Sequence, residues 1–126
     1  MIVADTDVLI DALRGREPAA SRISREMADG NLVTTAITAF ELRSGAKGAK
    51  ELAAVEALLG ALPMLPFSDR SSQVASACRR ELEAKGQTIG MGDYLIAGIC
   101  ISRAATLLTR NRRHFERISR LRLDSL

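Results

Sequence analysis

Short apolar, β-branched runs recur along this chain, each followed by residues at helical spacing, and that alternation most restricts the fold. Ile2 to Ala4 reads as a short buried strand, and Leu32 to Thr35 as a second. "PMLPF", residues 63 to 67, is a brief extended piece pinned by two prolines. Thr106 to Leu108 is a fourth strand, and "LRLDSL" a final edge strand. Between them, residues 7 to 14 place Val8, Leu9, Ala12 and Leu13 on one helical face, with Gly15 as the stop. Pro18 opens a second helix that ends near Gly30. Thr38 and Glu41 match a capping box and start a third. Residues 50 to 62 form a fourth, with Leu52, Val55, Leu59 and Leu62 at helical spacing. Ser68 caps a long helix to about Lys85, Asp93 begins another, and "NRRHFERIS" forms a short last one. Strands alternating with helices predict a parallel sheet covered on both faces, with right-handed crossovers. At 126 residues the chain is expected to be one domain, residues 1–126.

In such a sheet, ligands bind beyond the carboxyl ends of the strands. Asp5 follows the first strand, and Thr109, Arg110 and Asn111 follow the fourth. Glu41 lies near the start of the helix after the second strand, and Asp93 opens the helix before the fourth. Clustered carboxylates cannot all stay ionised without a cation. A hard divalent ion that prefers oxygen ligands is the natural partner, and it activates phosphoryl groups and bound water. Each acid also has an ordinary helix-end role. Asp5, Thr6 or Asp7 can cap the first helix, Glu41 can complete the capping box, and Asp93 can answer a helix dipole. Asp7 fits a capping or supporting role better than a ligand role, and Asp11 is expected to face solvent.

Net charge is +3, and its distribution says more. The segment from Arg103 to Arg122 is rich in arginine and carries one acid, Glu116. Such a segment suits a polyanionic partner, or a merely solvated face. The N-terminus lacks the basic and apolar regions of a signal peptide, and the longest apolar run, "YLIAGICI", is too short to span a bilayer. Cys78 and Cys100 read as buried thiols in a reducing cytoplasm.

"IVADTDVLIDAL", "TAITAFELRSG", "IGMGDYLIAG" and "LLTRNRRHFERI" together resemble, in order, the four blocks of PIN-domain ribonucleases, nearest the VapC toxins of bacterial toxin–antitoxin systems. The resemblance runs from Ile2 to about Leu123. It implies a three-layer α/β/α fold with a short, mostly parallel five-stranded sheet. It also implies a cytoplasmic, metal-dependent endoribonuclease that uses Mg²⁺ or Mn²⁺. Asp5, Glu41 and Asp93 match the family's metal-binding acids, Thr6 the hydroxyl residue after the first acid, and Thr109 the one after the fourth strand. Asn111 stands where many members have a fourth acid, so one tightly held ion is expected rather than two. Partners so implied are RNA, a VapB-type antitoxin and a second copy of the chain, with further association through antitoxin. The third and fourth helices would form the antitoxin groove, which makes Leu52, Val55 and Leu59 either groove or plain core.

Arg110, Arg112 and Arg113 are candidates for holding RNA phosphates. His114, the one histidine, suits a structural or phosphate-contacting role. "GMG", residues 90 to 92, is expected to turn the chain sharply and so present Asp93. Three other readings compete. A catalytically inactive PIN domain would only bind RNA or antitoxin. A receiver-like phospho-acceptor domain could use Asp69, but no Lys follows Lys85. An aspartyl phosphatase is imitated by "DTDVL", but lacks the Gly-Thr that should follow.

Overall fold

The computed structural model describes residues 1–126. The strands are β1 (Ile2–Ala4), β2 (Leu32–Thr35), β3 (Met64–Leu65), β4 (Thr106–Thr109) and β5 (Arg122–Ser125). The helices are α1 (Thr6–Leu13), α2 (Ala19–Ala28), α3 (Ala36–Gly45), α4 (Gly48–Gly60), α5 (Asp69–Ala84), α6 (Met91–Ser102) and α7 (Arg112–Phe115). The sheet runs β3-β2-β1-β4-β5, and every pairing is parallel. Chain order therefore reverses direction at β1 and β4, and a crevice opens at their carboxyl ends.

Side-chain alternation along the strands builds two cores. Val3, Val33 and Leu107 point to one face, where they pack with Val74, Cys78 and Leu82 of α5 and Ile96, Ile99 and Cys100 of α6. Ala4, Leu32 and Leu108 point to the other, against Val8 and Leu9 of α1, Ile23 of α2, Leu42 of α3 and Val55 and Leu59 of α4. This is the expected three-layer α/β/α arrangement. No helix is long and apolar enough to cross a membrane.

Several local expectations are corrected. Helix α3 is capped by Thr35, whose Oγ1 accepts the Thr38 backbone N–H at 3.0 Å. The Thr38–Glu41 capping box does not form, because the helix begins a turn earlier and Thr38 is buried inside it. Helix α6 starts at Met91 and not at Asp93, with Gly90 as its cap. Asp5 caps α1 by accepting the Thr6 N–H at 2.8 Å, so Asp7 is not the cap. Asp11 is buried rather than solvent-facing, between Arg16 at 3.8 Å and Arg110 at 3.4 Å.

Candidate active site

The site grows from the end of β1. The Asp5 N–H continues the ladder by donating to the Leu108 carbonyl at 2.8 Å, which sets Asp5 beside the end of β4. Thr109, fully buried at that end, donates its hydroxyl to Asp5 Oδ2 at 2.9 Å. The same hydroxyl accepts the Asn111 N–H at 2.8 Å. Both Asp5 oxygens are thus held, one by the α1 N-terminus and one by β4.

Glu41 arrives from the second turn of α3. Its Oε1 accepts the Thr6 hydroxyl at 2.6 Å, and Thr6 Oγ1 also lies 3.4 Å from Thr38 Oγ1. Asp93 comes from the first turn of α6, near enough to Asp5 and Glu41 for their charges to interact. The structure therefore brings Asp5, Glu41, Asp93, Thr6 and Thr109 to one corner of the sheet. Exposed Asp7 adds negative charge that both Asp5 and Asp93 feel.

That charge is costly. Burial pushes the Asp5 carboxyl up to about 6; Asp93 and Asp7 push the same way, against the hydrogen bonds from Thr109 and Thr6. Burial also raises the Asp93 carboxyl, with Glu41 and Asp7 adding to it and His114 opposing. No ion pair reaches Asp5, Asp7, Glu41 or Asp93, although Lys and Arg outnumber acids in the chain. The donors are all oxygens, which suits a hard divalent cation. As the side chains stand, no three acidic, His or Cys groups have closed to metal-ligating spacing.

The "GMG" glycines act by leaving room and not by turning the chain. Gly90 has ordinary extended angles, and Gly92 lies inside α6. A Cβ on Gly92 would meet Glu41 Oε2 at 2.8 Å, and one on Gly90 would stand 3.5 Å from Asp93 Oδ2. Arg117, which the sequence does not single out, donates to the Thr88 and Gln87 carbonyls at 3.2 and 3.4 Å. Tyr94 Oη accepts the Ile89 N–H at 3.2 Å. Together they pin the loop that leads to Asp93.

The arginines divide. Arg110 is occupied by Asp11, and Arg112 leans on Glu116 at 3.9 Å and Ser125 at 3.3 Å. Arg113 is exposed and has no ion pair. The Asn111 amide nitrogen contacts His114 Nδ1 at 2.8 Å. A groove of about 420 Å³ begins beside Glu41 and runs between α1, α3 and α4; Ile10, Leu13, Leu42, Ala54 and Val55 line it. Of the three expected groove residues, only Val55 lines it. Leu59 is in the core, and Leu52 is 41 % exposed outside the lining.

A parallel sheet with carboxylates from three separate elements at its switch point is the arrangement of an acid-centred α/β domain. The chain belongs to the PIN-domain family, which residues 2–121 match. It is closely related to VapC-type toxins. It is 33 % identical over 117 residues to the ribonuclease VapC19 of Mycobacterium tuberculosis, covering 91 % of this chain and 92 % of that one. It is 30 % identical over 124 residues to the tRNA(fMet)-specific endonuclease VapC of Salmonella typhimurium, covering 95 % and 93 %. In three dimensions it resembles the VapBC2 structure from Rickettsia felis bound to a promoter DNA fragment, with a TM-score of 0.89 at 26 % identity over 100 % of this chain and 99 % of that one.

Proposed function

We propose that this chain is a metal-dependent endoribonuclease, the toxin of a toxin–antitoxin pair, with Asp5, Glu41 and Asp93 as its catalytic acids. The observation that carries this is the cluster itself: one buried and two half-buried carboxylates that repel one another, with no ion pair to any of them. Asp5 and Asp93, with Glu41, would hold Mg²⁺ or Mn²⁺. When bound there, such an ion neutralises charge on a scissile phosphate and makes a bound water more acidic.

The chain's own residues do the rest. Thr109 and the Thr6 N–H hold the Asp5 carboxylate in one orientation. The Thr6 hydroxyl does the same for Glu41. Gly92 leaves space for that carboxylate to approach α6. Arg113 is free to take a flanking phosphate, whereas Arg110 and Arg112 must first leave Asp11 and Glu116. Single-stranded or looped RNA suits an open, polar corner of this kind.

The apolar groove suits a segment of a VapB-type antitoxin. Glu41 lines both groove and site, so an occupant can reach the acids and block them. Solved relatives are described as VapBC complexes, which supports a partner of that type. Pairing of two copies of the chain belongs to the same reading.

A second reading has one observation in its favour. Asn111 stands where many family members carry a fourth acid, and a domain short of that charge would bind RNA or antitoxin without cutting. One experiment separates the two. Antitoxin-free protein is incubated with total bacterial RNA in Mg²⁺, Mn²⁺ or EDTA, beside Asp5→Ala. Discrete fragments that need metal and vanish with Asp5→Ala support the nuclease. RNA bound but uncut with every metal would leave the binding module.

A further inference from the structure

The function proposed above leaves Asn111 and His114 without a task. Asn111 is tied at its backbone to Thr109 Oγ1, the hydroxyl that holds Asp5. Its side chain turns instead to His114, with the amide nitrogen 2.8 Å from Nδ1. With the amide placed this way its nitrogen donates to Nδ1, the assignment that leaves the proton of a neutral ring on Nε2. One turn of backbone separates the two residues, and the His114 N–H closes that turn on the Asn111 carbonyl at 3.2 Å. His114 is solvent-exposed, yet near enough to Asp93 for a charge on its ring to act there. Asn111 thus joins the two sides, its backbone N–H bonded to the Thr109 hydroxyl that holds Asp5 and its side chain to the exposed His114 imidazole.

We propose that His114 is a substrate-contacting catalytic residue that donates its Nε2–H to an oxygen of the RNA phosphate held at the acid cluster, and that Asn111 is the positioning residue that fixes its ring. Asn111 is then not a metal ligand. Its amide is committed to the histidine, and the metal site is built from Asp5, Glu41 and Asp93 alone. This rests on the nuclease reading for its substrate. The geometry favours it over a plain surface contact for one reason. An exposed and a half-buried side chain lose rotamer freedom to hold this pose, and an isolated surface contact returns little for that.

The test uses the full chain with a short single-stranded RNA that the parent cuts. His114→Ala should lower kcat/KM by about ten- to a hundredfold, the worth of a hydrogen bond to a charged group. His114→Gln, which can place an N–H near the Nε2 position, should recover most of that loss. Asn111→Ala should lose a similar factor, and the double variant should lose no more than His114→Ala, since the two act as one unit. Thermal melts and Mn²⁺ affinity should match the parent in all four proteins. Parent-like cleavage by His114→Ala overturns the proposal. So does a loss of Mn²⁺ affinity with Asn111→Ala, which would make Asn111 a ligand, and so does full additivity. Binding of the same RNA by fluorescence anisotropy in Ca²⁺ keeps the question separate from the nuclease reading. A parent that cuts nothing removes that reading. The phosphate contact then stands if His114→Ala still weakens binding about tenfold and Gln restores it, and falls if neither changes.

Discussion

Asp5 does two jobs that pull against each other. As the cap of α1 it gains from charge, since its carboxylate answers the first N–H of the helix. As a residue only 6 % exposed, beside other acids, it loses from the same charge. The loss is larger, because its carboxyl is raised from 3.8 to about 6. The folded protein therefore holds a proton in a range where the unfolded chain has released it. Asp5 costs nothing below about pH 4, and its cost grows as pH rises to about 6, on the order of 2–3 kcal/mol. Asp5→Asn keeps an oxygen for the Thr6 N–H and removes the charge. In EDTA at pH 7 its melting temperature should lie above the parent's, and the gap should close towards pH 4. Mg²⁺ or Mn²⁺ should raise the parent's melting temperature at pH 7 and leave Asp5→Asn unmoved. Equal melts for the two proteins across this range would show that the burial of Asp5 carries no such cost. Gly92 offers a test of a different kind. A methyl group there meets only the end of the flexible Glu41 side chain, so Gly92→Ala should fold normally. It should nonetheless displace that carboxylate and cut RNA cleavage about tenfold or more, if Glu41 belongs to the catalytic set. Unchanged cleavage would remove Glu41 from that set.

Among the elements, α5 and α6 carry the tightest contact. A Cβ on Gly98 of α6 would lie 2.7 Å from both the Ala75 Cβ and the Ser71 carbonyl of α5. The second of these is backbone and cannot swing aside. Gly98→Ala gains about 1 kcal/mol in helix propensity, against about 1–3 kcal/mol for forcing packed helices apart. We expect net destabilisation, read as a lower urea midpoint; a raised midpoint would show that the helices separate freely. This contact is invisible in the sequence, where "LIAGIC" reads simply as an apolar helix with a weak point. The order of strands and helices was legible for the opposite reason. Burial on both faces makes the inner strands β1, β2 and β4 runs of apolar residues and threonine, while the edge strands β3 and β5 stay partly exposed. Helix starts were less legible: Thr38 with Glu41 imitates a capping box, but β2 ends at Thr35 and the Thr35 hydroxyl caps the helix instead. Asp11 was misread because its partner Arg110 lies at the far end of the chain, beyond any local pattern. The carboxyl-edge rule brought Asp5, Glu41 and Asp93 into view as candidates, but nothing local could reveal the space that Gly92 leaves for Glu41.

At the scale of the whole molecule, the acid corner and the apolar groove meet at Glu41, and the proposed enzyme and its proposed control share that residue. Helix α4 presents different faces to core and groove. Leu59 is 4 % exposed and packs with Val8, Leu42 and the rest of its core, so Leu59→Glu buries a lone charge and should unfold the protein. Ala54 is exposed on the groove wall, so Ala54→Glu costs the fold little. It places a charge where an apolar segment would lie. Leu52 faces solvent away from the lining. If the groove receives the antitoxin segment, Ala54→Glu should weaken antitoxin binding by about tenfold or more, and Leu52→Glu by much less, with both melting as the parent does. Isothermal titration with the antitoxin reads the affinities, and thermal melts check the fold. The reverse order, with Leu52→Glu the more damaging, would move the antitoxin out of the groove and onto the outer face of α4. Inhibition would then need a route to the acids other than through Glu41.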